Sequence, residues 1–264
     1  MLKEVWKNRR MIFDLAKADF KKRFAGSYFG VVWMFIQPVV TVLVFFFIFQ
    51  LGMKSQPPVP DTPYVIWLIP GLVPWFFFSE SLSSQTVVMQ EYSYLVKKVV
   101  FPVEFLPVIK MISAFLVHAC FVAIMLAVFL ISGRMPQPSW IFILYYSLCT
   151  ACLSLAAGLI TSAVNVFFRD MMNIVGIILQ FGMWLAPIMY WEGMFTDSHP
   201  QLAILFKLNP FYYIVAGYRD SMLTGAFPWQ RPLNTLYFWL FTAALFLIGE
   251  RIFRKLRPHF SDVL

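Results

Sequence analysis

Charge is scarce in this chain. Only 13% of its 264 residues are Asp, Glu, Lys or Arg, against 60% hydrophobic and 19% aromatic, and the mean hydropathy is +0.73. A soluble domain of this size needs far more charge to stay in solution, so that class is excluded. Cysteine is scarce as well. Cys120, Cys149 and Cys152 all fall in apolar runs, which leaves no basis for a disulfide framework. Cys149 and Cys152 form a C-x-x-C with His118 at similar depth, but no fourth ligand closes a zinc site; the three read as packing residues and no metal is expected. There is no G-x-x-x-x-G-K-[ST], so hydrolysis of ATP by the P-loop route is excluded, and no H-E-x-x-H or acidic cluster suits metal-assisted transfer. No catalytic residue is expected. The first 30 residues are charged and lack a compact apolar core, so no cleavable signal peptide is expected either.

What is present is length of apolar sequence. Six runs, at about 31–51, 65–88, 108–131, 140–168, 171–191 and 233–249, are each long enough at 1.5 Å per residue to cross a hydrocarbon core of roughly 30 Å. The expected fold is therefore all-α: one polytopic membrane domain over 1–264 with six transmembrane helices. Alternating spans leave only Lys54, Arg134, Lys207, Arg219 and Arg231, five of the 21 Lys and Arg, on one side. The positive-inside rule then makes both termini cytoplasmic. The same basic rim, facing anionic lipid, accounts for the net charge of +8 without nucleic acid.

Three segments between or before the spans are not plain connectors. Residues 5–24 place Ile12, Ala16, Phe20 and Phe24 at fourfold spacing, with Trp6 and Phe13 beside them and Lys, Arg and Asp opposite. That pattern predicts an amphipathic helix in the cytoplasmic interface, followed by a hinge at Gly26 and Gly30. The 91–107 loop mixes Leu95, Val99, Val100, Phe101 and Phe105 with Lys97, Lys98 and Glu104, punctuated by Pro102 and Pro107. Such apolar bulk suggests docking against another protein, or a second interfacial helix resting on lipid. Residues 192–232 are too polar for a span and too apolar for a solvated loop, and Pro200, Pro210, Pro228 and Pro232 divide them. Two short helices dipping in from outside fit best.

Polar residues inside spans form stripes. Trp33, Gln37 and Thr41 recur every four residues on the first span; Asn173, Gln180, Trp184 and Trp191 share a face on the fifth. Such faces look toward protein or a pore, and hydrogen bonding between packed helices would explain any one of them. Together, rings that stack on sugar faces and amides that bond hydroxyls suit a path for a glycan. Glu80, among Ser79, Ser81, Ser83 and Ser84, reads as lining a hydrated vestibule or a helix contact rather than as a proton site.

Four motifs, RFAGSYFGVVWMFIQP (23–38), LVKKVVFPVEFLPV (95–108), FFRDM (167–171) and LNPFYYIVAGYRD (208–220), resemble in order the landmarks of type-two ABC exporter permeases. The branch they resemble most exports lipid-linked polysaccharides, including teichoic acid, O-antigen and capsule. The resemblance implies a homodimer in the bacterial plasma (inner) membrane, with two copies of a separate cytoplasmic ATPase that binds the ATP and Mg, and no cofactor in this chain. It assigns ATPase-coupling contacts to Lys97, Lys98, Phe101, Pro102 and Glu104, and more weakly to Arg169 and Asp170. It also implies that spans one, two and five tilt when the ATPases close. The substrate path is expected at Trp33, Gln37, Thr41, Glu80, Gln180 and Trp184. Among cargoes the expectation is a teichoic acid, whose phosphates Lys97, Lys98 and Arg219 would tolerate near the mouths. The alternatives are O-antigen or capsular polysaccharide, efflux of small amphipathic drugs by the same architecture, and a membrane enzyme acting on polyprenyl-linked sugars, which the missing acidic site disfavours.

Overall fold

A computed structural model describes residues 2–24, 29–97, 101–196 and 201–264. The described residues form helices joined by short connections, with no strand among them. We label the principal helices α1 (Arg9–Phe24), α2 (Trp33–Phe45), α3 (Tyr64–Glu91), α4 (Phe105–Ile131), α5 (Phe142–Phe167), α6 (Met171–Leu185), α7 (Pro210–Arg219) and α8 (Pro232–Leu256). Five helical stretches among the described residues are long and apolar enough to cross a membrane. The fifth expected span is cut short. α6 has 15 residues, about 22 Å of helix, because Ala186 precedes Pro187 and turns extended (φ −80°, ψ 128°).

Contacts fix the helix directions. Ser81 faces Ser154 and Thr86 faces Thr161, so α3 and α5 run parallel. Trp239 bonds Tyr145 while Gly249 abuts Ala156, so α8 runs parallel to both. His118 stacks on Phe77 and Lys110 reaches Glu91, which makes α4 antiparallel to α3. α6 passes α3 in the opposite sense as well, with Gly182 against Trp75 and Ile188 against Gly71. α1 meets the bundle where α3 ends and α4 begins, through Asp19, Tyr92 and Lys110. The C-terminal turns reach the same end, through Arg257 to Glu104 and Phe260 to Phe167. Both termini therefore lie at one end of the bundle.

The centre is stitched by polar side chains. Ser81 Oγ lies 3.1 Å from Ser154 Oγ, Gln85 Nε2 donates to Ser81 at 2.8 Å, Thr86 lies 2.9 Å from Thr161, and Gln90 Nε2 donates to the Asn165 carbonyl at 3.2 Å. In an apolar surround each such bond is worth about 0.6 kcal/mol. Gly158 makes the approach possible: a Cβ there would stand 2.0 Å from Gln85 Oε1. α2 is the opposite case. It has no fully buried residue, and Val39, Val40, Leu43 and Val44, with Phe47 just beyond its end, are all exposed. In water that surface would be untenable; lipid or a second chain must cover it.

The described residues of 192–232 contain the short helices Gly193–Thr196 and Leu202–Leu208, then α7, a π turn at Asp220–Thr224 and a 3-10 turn at Pro228–Gln230, a more divided segment than the two short helices expected. Asn209 caps α7 by accepting from the Phe211 amide at 3.0 Å, and Pro210 occupies its first turn. Phe211 packs on Trp75 and Phe78 in the middle of α3, while Arg219 lies over the Trp67 ring near its start. Gly217 lets α7 press on α5, since a Cβ would fall 2.1 Å from the Tyr146 ring.

Candidate functional site

α2 stands off from the bundle, and the gap between it and α3, α4 and α6 is a groove of about 620 Å³. Trp33, Gln37 and Thr41 line it from α2, Trp75 and Glu80 from α3, His118 and Phe121 from α4, and Gln180 and Met183 from α6. It thus gathers five of the six expected path residues. Trp184 lies one turn beyond Gln180, exposed and outside the lining. Asn173, expected on the same stripe, bonds Asp170 at the start of α6 instead.

Two charged groups sit in the groove. Arg23, the penultimate residue of α1, pairs with Glu80 at 2.7 Å. Glu80, expected to line a hydrated vestibule or make a helix contact, does both, and its cationic partner is not legible from sequence because the two are far apart in the chain. His118, expected as a packing residue rather than a metal ligand, stacks on Phe77 and sits 3.0 Å from both Ser147 and Tyr218. Cys149 is buried and Cys120 exposed, and no His, Cys, Asp or Glu cluster among the described residues could hold a metal.

The end carrying both termini holds the residues expected to couple to an ATPase. Lys97, Arg169 and Asp170 are exposed there; Lys98, with Val99, Val100, Gly26 and Ser27, lies outside the described residues. Phe101 and Leu95 pack onto a second apolar core beside Val96, Val103, Phe105, Ile12 and Phe253. The described apolar bulk of this loop is therefore largely satisfied within the chain. Pro102 follows at the turn into α4, its carbonyl accepting from the Phe105 amide at 3.0 Å. Glu104 is paired with Arg257 rather than free.

Two expectations need correction. Asp19 does not lie on the polar outer face of the amphipathic helix. It follows Ile12 and Ala16 by seven and three residues, shares their face, and is buried with them against α4. Lys110 Nζ donates to it at 2.7 Å and also reaches Glu91 at 2.6 Å, while Tyr92 OH donates to Asp19 at 2.7 Å. Burial pushes the Asp19 carboxyl up, but the Lys110 and Tyr92 hydrogen bonds and the Lys110 charge outweigh it and leave it below 3.8. The apolar face of this helix accordingly docks on protein. Arg219, in turn, cannot serve polyanions at a mouth. Its guanidinium donates to the carbonyls of Trp67, Pro187 and Ile188 and lies 3.5 Å from the Trp67 ring centroid. It satisfies backbone left open where α6 breaks.

Residues 11–223 match the ABC-2 type transporter family model. The chain belongs to that family. Its ABC-2 relatives include O-antigen export system permease protein RfbA of Klebsiella pneumoniae, 26% identical over 97% of both chains. RfbA of Myxococcus xanthus is 26% identical over 99% of this chain and 98% of its own. Polysialic acid transport protein KpsM of Escherichia coli is 24% identical over 89% of each. The chain is thus a multi-pass membrane protein similar to transport permeases, and none of these relatives is named for a teichoic acid.

Proposed function

We propose that this ABC-2 chain is the membrane subunit of an ATP-driven exporter that moves a lipid-linked polysaccharide of O-antigen or capsular type across the bacterial inner membrane. The names of its relatives favour that cargo over the teichoic acid first expected. The observation that carries the reading is the groove: Trp33 offers an exposed ring, Gln37, Gln180 and Thr41 offer neutral hydrogen bonds, and α2 is loosely enough attached to let it widen. Stacking and neutral hydrogen bonds hold a sugar weakly at many points, which suits a polymer that must keep moving. In this reading α6, continued by the turns and bends of 186–190, is a sixth crossing, α7 belongs to a re-entrant segment, and both termini face the cytoplasm, where the basic residues gather. Two copies pair across the exposed α2 and α6 surfaces to enclose the path. Energy comes from a separate pair of ATPase subunits docked near Lys97, Arg169 and Asp170.

Deleting the gene should strip the glycan from the cell surface and leave lipid-linked polymer inside. Restoring the chain with Gln37→Leu and Gln180→Leu together should return insertion but under about a tenth of the export rate. A mutant that keeps its surface glycan and becomes drug-sensitive would replace the cargo by small amphipathic molecules.

A further inference from the structure

The groove is not uniformly neutral. Among the described residues lining it, Arg23 is the one permanent cation and Glu80 the one carboxylate, and they are paired at 2.7 Å. Arg23 reaches the groove from α1, a helix held against α4 by the buried Asp19–Lys110 pair. Its position is therefore set by the fold and not by the ion pair with Glu80 alone. The Glu80 side chain is 46% exposed and Arg23 24%, so water and solutes reach the pair. A half-exposed Arg–carboxylate pair contributes little to stability. Arginine also suits phosphate better than a single carboxylate, because its planar fork donates two parallel bonds and a diphosphate carries more charge. From this charged pair the lining passes through Trp33 to Gln37, Thr41 and Gln180; Trp33 to Thr41 alone covers about 12 Å along α2.

We infer that Arg23 is a binding site for the phosphate oxyanions of a lipid-linked substrate, with Glu80 as the resident anion that the phosphate displaces. This rests on the glycan-export reading and deepens it by giving the groove a polarity. The lipid phosphate is taken up at Arg23 and the first sugars lie along Trp33, Gln37 and Gln180. The lipid tail leaves sideways between α2 and α4, where Val117 and Phe121 line the wall.

Two variants separate recognition from structure, because both break the ion pair and only one removes the cation. The full chain in phosphatidylcholine nanodiscs is titrated with a polyprenyl diphosphate, with binding read by native mass spectrometry and by tryptophan fluorescence. Wild type and Arg23→Lys should bind, Glu80→Gln should bind at least as tightly, and Arg23→Gln should bind at least tenfold more weakly. Wild-type binding by Arg23→Gln, or equal loss in both variants, would reduce the pair to a structural contact and overturn the site. Displacement by equimolar phosphatidylglycerol or inorganic diphosphate would overturn its assignment to a substrate lipid. Because the readout is binding by the purified chain, a failure of glycan export in cells leaves this result independently readable.

Discussion

Lys110 carries two obligations at once. It is 7% exposed and bonds both Asp19, itself 4% exposed, and the half-exposed Glu91. Removing one partner of a buried pair strands the other, at a cost of about 3–5 kcal/mol. Lys110→Met should therefore destabilise the chain far more than Asp19→Asn, which leaves Lys110 with Glu91. The double variant should be more stable than Lys110→Met alone. Thermal unfolding in nanodiscs and protease sensitivity of α1 measure all three. The pH dependence has a definite sign. The Asp19 carboxyl is lower in the fold than its ordinary 3.8, so its contribution is complete above about 3.8 and disappears as pH falls through the folded value. α1 should stay docked from neutral pH down to about 4.5, and loosening within that range would show that Asp19 is not what holds it.

At the scale of elements, the loop ahead of α4 and the chain after α8 behave as one piece. Glu104 and Arg257 join them, and a hollow between them is lined by Val96, Phe101, Val103, Arg254, Arg257 and Phe260. If Glu104 acts on an ATPase through this internal pair, reversing its charge should be rescued from within the chain. Glu104→Arg and Arg257→Glu should each cut export per ATP several-fold. The double exchange should restore at least half of wild-type coupling, measured as export and ATP hydrolysis in reconstituted complexes. No rescue would mean that Glu104 meets the partner directly. The break between α6 and α7 has its own physical cause. Pro187 stops the helix, and Arg219, 32 residues later, bonds the freed carbonyls. The proline was legible in sequence; the arginine read as a mouth cation because charge alone does not reveal that all its donors are taken by backbone.

For the whole molecule, the polar ladder divides what can move from what cannot. α3 and α5 share three bonds across a glycine-thin contact, Ser81–Ser154, Thr86–Thr161 and Gln90 to the Asn165 carbonyl, whereas α2 has no fully buried residue and meets α4 through the rings of Phe35 and Phe121, 5.5 Å apart. If the groove is the export path, we propose that it opens by movement of α2 against α3, one part of the tilting of spans one, two and five that the resemblance implies. In a cysteine-free background, cross-linking Ser81→Cys to Ser154→Cys should leave export within about twofold of the uncrosslinked protein. A short thiol cross-linker between Phe35→Cys and Phe121→Cys should abolish it until the link is cleaved. The reverse pattern would place the moving joint at α3.

The amino-acid sequence alone determined that this chain is an all-helical membrane protein, because apolar length is a local property. It also pointed to the helical stripes of Trp33, Gln37, Thr41 and Gln180, since a fourfold or sevenfold repeat is visible one helix at a time. Only the tertiary structure decided which stripes face one another, that Asp19 belongs inside, that Arg23 meets Glu80, and that Arg219 is spent on backbone. Each of these depends on a contact between residues that are distant in the chain. Periodicity says which face of a helix a residue occupies, and packing alone says what that face meets.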